Sequence, residues 1–286
     1  MPAIVQDLVE AAQLLATGIA GAGPGGTVIL SGAGLSTESG IPDYRGPTGR
    51  ARPATPMTFA EFTGSAASRQ RYWARSHRGW RQIAQAAPNA GHRGVADLQR
   101  DGRLAGVITQ NVDGLHQAAG ADGVIELHGG LARVICLDCR QLTGREQLHA
   151  RLAAANPAAA AAAAGQAKPD GDVDLAEAEV ARFRLVDCAG CSGMLKPDVV
   201  FFGENVPPER VASCYRLVES SKLLVVLGSS LTVASGFRFV RRAAAHQIPV
   251  LIANQGQTRG DPYAEARLDV PLGALLSATA TAVPCG

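Results

Sequence analysis

Short apolar runs alternate with stretches of helical periodicity along most of the 286 residues. Thr27–Leu30, Gly106–Thr109, Val124–Leu127, Asp198–Phe202, Leu223–Leu227 and Val250–Ala253 are rich in Val, Ile and Leu, the mark of strands buried on both faces. Helical patterns separate several of them, notably Ser68–Ala87 and Gly236–His246. An amphipathic helical segment from about Pro2 to Ala20 precedes the first strand and ends in the breaker Gly21-Ala22-Gly23-Pro24-Gly25-Gly26. Strands alternating with helices predict an α/β fold with a doubly wound, Rossmann-like parallel sheet. Ligands of such sheets sit beyond the carboxyl ends of the strands.

Two regions break the alternation. Gly46–Arg103 is helix-rich and holds most of the aromatic residues, and Leu131–Leu195 holds two Cys-x-x-Cys pairs and the run Ala158–Ala164. The expected organisation is a discontinuous Rossmann-like domain over 1–45, 104–130 and 196–286, a helical module over 46–103 and a metal-binding module over 131–195. The alanine run lacks apolar periodicity and reads as a poorly ordered insert, with a short helix as the alternative.

Cys136/Cys139 and Cys188/Cys191 offer four soft ligands for a tetrahedral Zn²⁺, a closed set that suits a structural ion. Loop closure costs roughly 0.6 kcal/mol per doubling of length, so the long insert between the pairs is tolerable. A thioredoxin-like site would need one such pair, and a disulfide framework belongs to shorter secreted chains. Cys214 reads as a small buried apolar residue of a helix, and nothing marks Cys285 for a role.

Composition narrows the partners. Hydrophobic content is 47%, with no apolar run long enough to span a bilayer. A net charge of +2 gives no argument for nucleic-acid or membrane binding. Arginine far outnumbers lysine, which occurs only at 168, 196 and 222; with the high alanine content this points to a GC-rich, bacterial coding sequence. Asp7 and Glu10 suit neither a secretory leader nor a transit peptide, so the cytoplasm is the expected location.

Small polar turns follow the strands. Gly32-Ala33-Gly34 could bring phosphates to backbone N–H groups, although it lacks the third glycine of the dehydrogenase fingerprint. The continuation Ser39–Gly46 carries Asp43, Tyr44 and Arg45 and reads as a lid with a phosphate partner. Gln110-Asn111-Val112-Asp113 could hold a ribose or an amide, but Asn and Asp at strand ends also form turns. His116 reads as a structural histidine. His128, at the end of a strand and before Gly129-Gly130, is placed to act as a general base. Gly228-Ser229-Ser230 and Asn254-Gln255-Gly256 repeat the strand-to-turn unit, and several such turns together suit one extended nucleotide across the sheet.

Together, Gly32–Gly46, Thr109–His116, Glu126–Gly129, the cysteine pairs, Lys196–Glu204, Gly228–Ser230 and Asn254–Gly256 resemble the motifs of sirtuins, in family order and over residues 27 to 273. Arg69–Arg75 and Pro169–Val173 resemble the class II, mitochondrial-type branch; the alanine run departs from the family inside the metal module. The resemblance implies NAD-dependent removal of acyl groups from lysine, with one structural zinc and an acyl-lysine peptide or protein as partner. NAD would contact Gly32, Ala33, Gly34, Thr37, Asp43, Tyr44, Arg45, Gly228, Ser229, Ser230, Asn254, Gln255, Gly256 and Leu272, with Gln110, Asn111 and Asp113 at the nicotinamide ribose. The acyl oxygen would attack the ribose carbon as nicotinamide leaves, with His128 activating a ribose hydroxyl and Asn111 and Asp113 assisting. The peptide would add as a strand beside Val200, Phe201, Phe202, Gly203 and Glu204.

Tyr72 and Arg75 share a helical face and resemble the Tyr-x-x-Arg of sirtuins that remove acidic acyl groups, so a preference for carboxyl-bearing acyls is expected. The alternative is that Arg75 is a solvated surface charge. Rival functions are mono-ADP-ribosyl transfer from the same site and a non-catalytic NAD sensor. The sensor would lack the His128 or Asn111 equivalents, and both are present.

Overall fold

The protein is described by a computed structural model over residues 2–43, 56–160 and 172–282. Tyr44, Arg45, Pro169–Gly171 and Ala161–Ala164 lie outside the described residues. Ala158–Ala160 belong to a short helix, Pro157–Ala160.

Seven parallel strands form the main sheet in the order β1-β10-β9-β8-β2-β3-β4. Their ranges are β1 Ala3–Val5, β2 Thr27–Ser31, β3 Leu104–Thr109, β4 Ile125–Glu126, β8 Leu223–Leu227, β9 Val250–Ala253 and β10 Ala266–Leu268. Every residue of β2, β8 and β9 is buried, as their unbroken apolar runs require. Each such Val, Leu or Ile contributes about 1.5–3 kcal/mol by leaving water. One core layer packs the helices Leu8–Ala22, Ala90–Arg100 and Leu272–Ala282 on one face, and a second packs Pro208–Glu219 and Ala234–Ala245 on the other. Asp7 caps the first helix by accepting from Glu10 N at 2.9 Å. Chain order runs outward in opposite directions from β2 and β8, so the switch point, where a crevice opens, lies between them.

Two expectations are corrected here. Residues 2–7 are not helical, because Ala3–Val5 pairs with β10 as the sheet edge. Asp198–Phe202 is not a strand of the parallel sheet. Instead β7, Leu195–Val199, joins β5 (Gly129–Cys136) and β6 (Leu142–Gly144) in a separate antiparallel sheet of order β6-β5-β7. The small module therefore crosses the boundary expected at residue 196. Gly129 makes the passage from β4 into β5 at φ 81°, and a Cβ there would collide with the carbonyl of Asp198.

The helix Ala66–Ala84 packs on this small sheet with Tyr72 and Trp73 buried in a third core. Arg145 is also buried, its guanidinium set against the Trp73 and Trp80 rings and donating to the Ser76 carbonyl at 3.2 Å. His77 stacks on His149 with ring centroids 4.3 Å apart.

The four cysteines of the two pairs converge. Their sulfurs all lie within 4.8 Å of one another, with Cys136–Cys191 at 3.5 Å and Cys139–Cys188 at 3.8 Å. Four sulfurs at about 2.3 Å from one zinc stand about 3.8 Å apart, so the set fits a tetrahedral ion. Each knuckle is closed by a backbone bond, Arg140 N to the Cys136 carbonyl at 3.0 Å and Ser192 N to the Cys188 carbonyl at 2.9 Å. Backbone N–H groups of Gly190 and Cys191 draw the Cys188 thiol down to about 7, while hydrogen bonding with Cys139 pushes Cys191 up to about 12. Cys214 is fully buried, as expected.

Two outcomes follow from this packing. Chelation should remove one zinc per chain, release four reactive thiols and lower the melting temperature; a chain whose melting is indifferent to chelator contradicts the assignment. Burial holds His77, His92 and His116 at about 4. Below about 6.5 the unfolded chain takes up protons that these rings refuse until about 4, so stability is lost as pH falls through that window. Melting curves at pH 7, 6 and 5 should show a falling midpoint, and a constant midpoint contradicts the account.

Candidate functional site

A cleft of about 1350 Å³ lies over the carboxyl ends of β2, β3, β8 and β9 and extends to the small module. One side is lined by the expected turns, Gly32–Gly34 with Thr37 and Asp43, Gly228–Ser230, Asn254–Gly256, and Leu272. Gly32 and Gly34 are needed for turn-to-turn packing: a Cβ on Gly34 would stand 2.9 Å from the Gly228 Cα, and one on Gly32 2.8 Å from the Ser229 Cβ. Gly228 itself has φ 64°. The two glycine turns thus bring β2 and β8 into close contact at the switch point and leave the polar groups above them facing the cleft.

Gln110, Asn111 and Asp113 follow β3 into the same cleft. Asn111 Nδ2 donates to the Gly32 carbonyl at 3.1 Å and to Ser36 Oγ at 2.9 Å, and Ser36 Oγ donates to Asp113 Oδ2 at 2.7 Å. Asp113 Oδ1 also accepts from Leu115 N at 2.9 Å. The turn-forming and cleft-lining readings of these residues therefore both hold. The network locks β3's end to the first turn and fixes the rotamers of two polar side chains facing the cavity.

His128 lies at the end of β4, partly buried and lining the cleft. Its Nδ1 is 3.0 Å from the Gln110 carbonyl and its Nε2 is 2.7 Å from Ser235 Oγ. A carbonyl can only accept, so the proton of the neutral ring sits on Nδ1 and the lone pair on Nε2. Burial lowers its affinity for a proton; the Gln110 carbonyl opposes this, and the charges of Arg210 and Arg238 reinforce it. The ring is thus a neutral base at pH 7. His116 differs: it is buried, held by Ser31 Oγ at 2.8 Å, and absent from the cleft wall, as its structural reading requires.

On the small-module side, Val200–Glu204 and Tyr72 line the cleft. The Val200 N–H donates to the His128 carbonyl at 2.8 Å, and the Phe202 carbonyl accepts from Phe59 N at 2.9 Å. Lys196, buried, pairs with Glu204 at 3.1 Å and lies over the Phe201 ring, which ties the segment to β7. Tyr72 packs edge-on against Phe62 and Trp73. Arg75 is the exception to the expected set. Its guanidinium is engaged by Asp174, by Asp172 at 3.7 Å and by the Val173 carbonyl at 2.9 Å, and it does not line the cleft. Two nearby acids and a carbonyl outcompete the cavity for the charge, so both the joint Tyr72–Arg75 reading and the solvated reading are corrected.

Sequence reasoning missed Ser36, Asn89, His92 and Ser235. Ser36 sits inside a recognised motif but carries no signal of its own. Asn89 and His92 form a capping box at the start of Ala90–Arg100, with His92 Nε2 at 3.4 Å from Ser36 Oγ, and only the Asn-x-x-His spacing hinted at it. Ser235 opens a helix far from His128 in sequence, and no spacing rule joins them.

The Sir2 family profile matches residues 32–235. NAD-dependent protein deacetylase 1 of Streptomyces coelicolor is 59% identical over 90% of this chain and 85% of its own length. The bovine NAD-dependent protein lipoamidase sirtuin-4, mitochondrial, is 45% identical over 87% of this chain and 80% of its own. Among solved structures, a Sir2–p53 peptide–NAD+ complex superposes with a TM-score of 0.71 at 28% identity, covering 92% of this chain and 95% of that one. With a switch-point cleft, a neutral histidine in its wall, a four-cysteine cluster in the small module and these likenesses, the chain belongs to the Sir2 family.

Proposed function

We propose that the protein is an NAD-dependent protein acyl-lysine deacylase, and the observation that carries this reading is the neutral imidazole of His128 with its lone-pair nitrogen at the cleft between the nucleotide turns and the 200–204 segment. NAD, consumed as a substrate, supplies a ribose carbon whose bond to nicotinamide opens and a ribose hydroxyl that ends up bearing the acyl group. The chain's residues then have separate tasks. Gly32–Gly34, Thr37, Asp43, Gly228–Ser230 and Asn254–Gly256 bind the dinucleotide across the strand ends. Asn111 and Asp113, held by Ser36, orient the nicotinamide ribose. His128 takes the proton of the ribose hydroxyl at Nε2. The peptide pairs with the main chain of 200–204 at groups other than the Val200 N–H and the Phe202 carbonyl, which are already engaged.

The acyl end meets Tyr72, Phe201 and Ile41, an apolar wall. A carboxylate there would find Arg75 already neutralised by Asp172 and Asp174. Acetyl and apolar acyl groups are therefore the favoured substrates, and the deacetylase and lipoamidase names of the relatives agree with an apolar channel. Mono-ADP-ribosyl transfer and a non-catalytic sensor remain the rival functions, and the same assay separates all three.

In a panel of acyl-lysine peptides with NAD, nicotinamide should appear only with acylated peptide, and the acyl-ADP-ribose product should accumulate by mass. Label from NAD building up on protein would instead favour the transferase, and no turnover the sensor. Acetyl and apolar peptides should outpace glutaryl peptides, and Arg75→Met should leave that ratio within about twofold; a glutaryl preference lost in Arg75→Met would reverse the specificity argument. The acid limb of kcat/KM should titrate below the ordinary histidine value of about 6.5, since burial holds His128 neutral to lower pH. A limb at or above that value counts against His128 as the base. His128→Ala should lower turnover roughly 10²–10⁴-fold.

A further inference from the structure

The lone pair of His128 does not look freely into the cleft. With Nδ1–H given to the Gln110 carbonyl, Nε2 can only accept, and the group 2.7 Å from it is the hydroxyl of Ser235. In the neutral ring, therefore, Ser235 O–H donates to Nε2. Ser235 is the second residue of the helix Ala234–Ala245, is part-buried and lines the cleft.

This contact is built by the fold. Gly236, the next residue, has no room for a Cβ, which would overlap the side-chain amide of Gln110. The helix start therefore lies directly on the residue whose carbonyl holds the other side of the imidazole. Gln110 Nε2 in turn donates to Ser229 Oγ at 2.8 Å, which ties this packing to the turn after β8. The charged groups that act on the ring are Arg238, one turn further along the same helix and also lining the cleft, and Arg210, which donates to the Leu127 carbonyl at 3.2 Å. Both disfavour a lasting imidazolium, and a hydroxyl that can donate to one form of the ring and accept from the other suits a proton in transit.

We infer that Ser235 is a catalytic residue that carries the ribose proton to His128. The ribose hydroxyl gives its proton to Ser235 Oγ while the Ser235 proton moves to His128 Nε2. The ribose oxygen's electron pair forms the bond to the acyl carbon while the π pair of that carbon's bond to the lysine nitrogen moves onto the nitrogen, Ser235 ends as a hydroxyl again, and the positive charge passes from the acyl-lysine group to His128. The inference rests on the deacylase reading above.

The test compares two assays in the full-length protein: acyl-peptide-dependent exchange of labelled nicotinamide into NAD, which needs no base, and complete turnover to free lysine and acyl-ADP-ribose. In Ser235→Ala, complete turnover should fall roughly tenfold or more while exchange stays within about twofold. Ser235→Thr, which keeps the hydroxyl, should recover most of the turnover. Ser235→Val, of the same shape without the hydroxyl, should not, and this pair decides the matter if the alanine variant folds poorly. Unchanged or faster turnover in the alanine and valine variants means that His128 takes the proton directly and overturns the relay. An equal fall of both assays assigns Ser235 a purely structural part and also overturns it. A parent protein that shows no acyl-dependent exchange instead defeats the deacylase reading, a result distinct from either.

Discussion

Four parts of the site meet at one residue, Gln110, and its contacts set what the others can do. Its N–H donates to the Ser31 carbonyl at 2.9 Å and continues the β2–β3 pairing one step past the strand end. Its own carbonyl fixes the imidazole tautomer of His128, and its side-chain amide reaches Ser229 after β8. Its bulk occupies the space left by the missing side chain of Gly236. A short polar side chain here would lose the Ser229 contact, and a larger one would push the helix start away from His128. Backbone and side chain of one residue thus hold His128, the turn after β8 and the neighbouring helix in fixed relation, the kind of support a preorganised site requires.

The two sheets supply the other half of the geometry. β4 is only two residues long, and β5 begins immediately after His128, with Gly129 making the turn. His128 therefore stands where the chain leaves one sheet for the other, on the cleft shared by the glycine turns of the large sheet and the 200–204 segment after β7. Lys196 and Glu204 pin that segment to the small sheet, and the cysteine cluster closes the far end of the same sheet. In this arrangement a metal site remote from the cleft can still act on it, because it holds in place the sheet on which one wall is built.

Much of this was legible in the sequence. The strands β2, β3, β8 and β9 stood out because burial on both faces leaves no alternation to misread, and the turns after them followed from glycine and small polar residues. The two shortest strands on the β8 side of the sheet did not stand out. β1 and β10 have three residues each, too few for a period, and β1 is merged in sequence with the helix that follows it. β7 carries Pro197 and Lys196, and its partner β5 lies more than fifty residues away, so its apolar continuation read as another parallel strand. Most site residues lay at the expected cleft because each follows a strand end. Arg75 did not, since its acids Asp172 and Asp174 come from a distant segment and helical spacing says nothing of them. Ser235 escaped for the same reason.

The histidines show why type and burial alone do not identify a base. His77, His92, His116 and His128 all have their proton affinity lowered by burial. What separates them is the partner of the second nitrogen. His116 is bound through Nε2 to Ser31, a strand residue under the cleft floor, with its Nδ1 buried and unpartnered. His92 uses Nδ1 to close a helix cap, and His77 stacks on another histidine. His128 alone among them lines the cleft, and its Nδ1 is committed to a group that can only accept. That commitment leaves a lone pair at Nε2 whatever the surroundings do. A ring that is neutral by burial, of one tautomer by a backbone carbonyl and set with its other edge against a cleft-lining hydroxyl is equipped to accept a proton, and the remaining rings each fail at least one of those conditions.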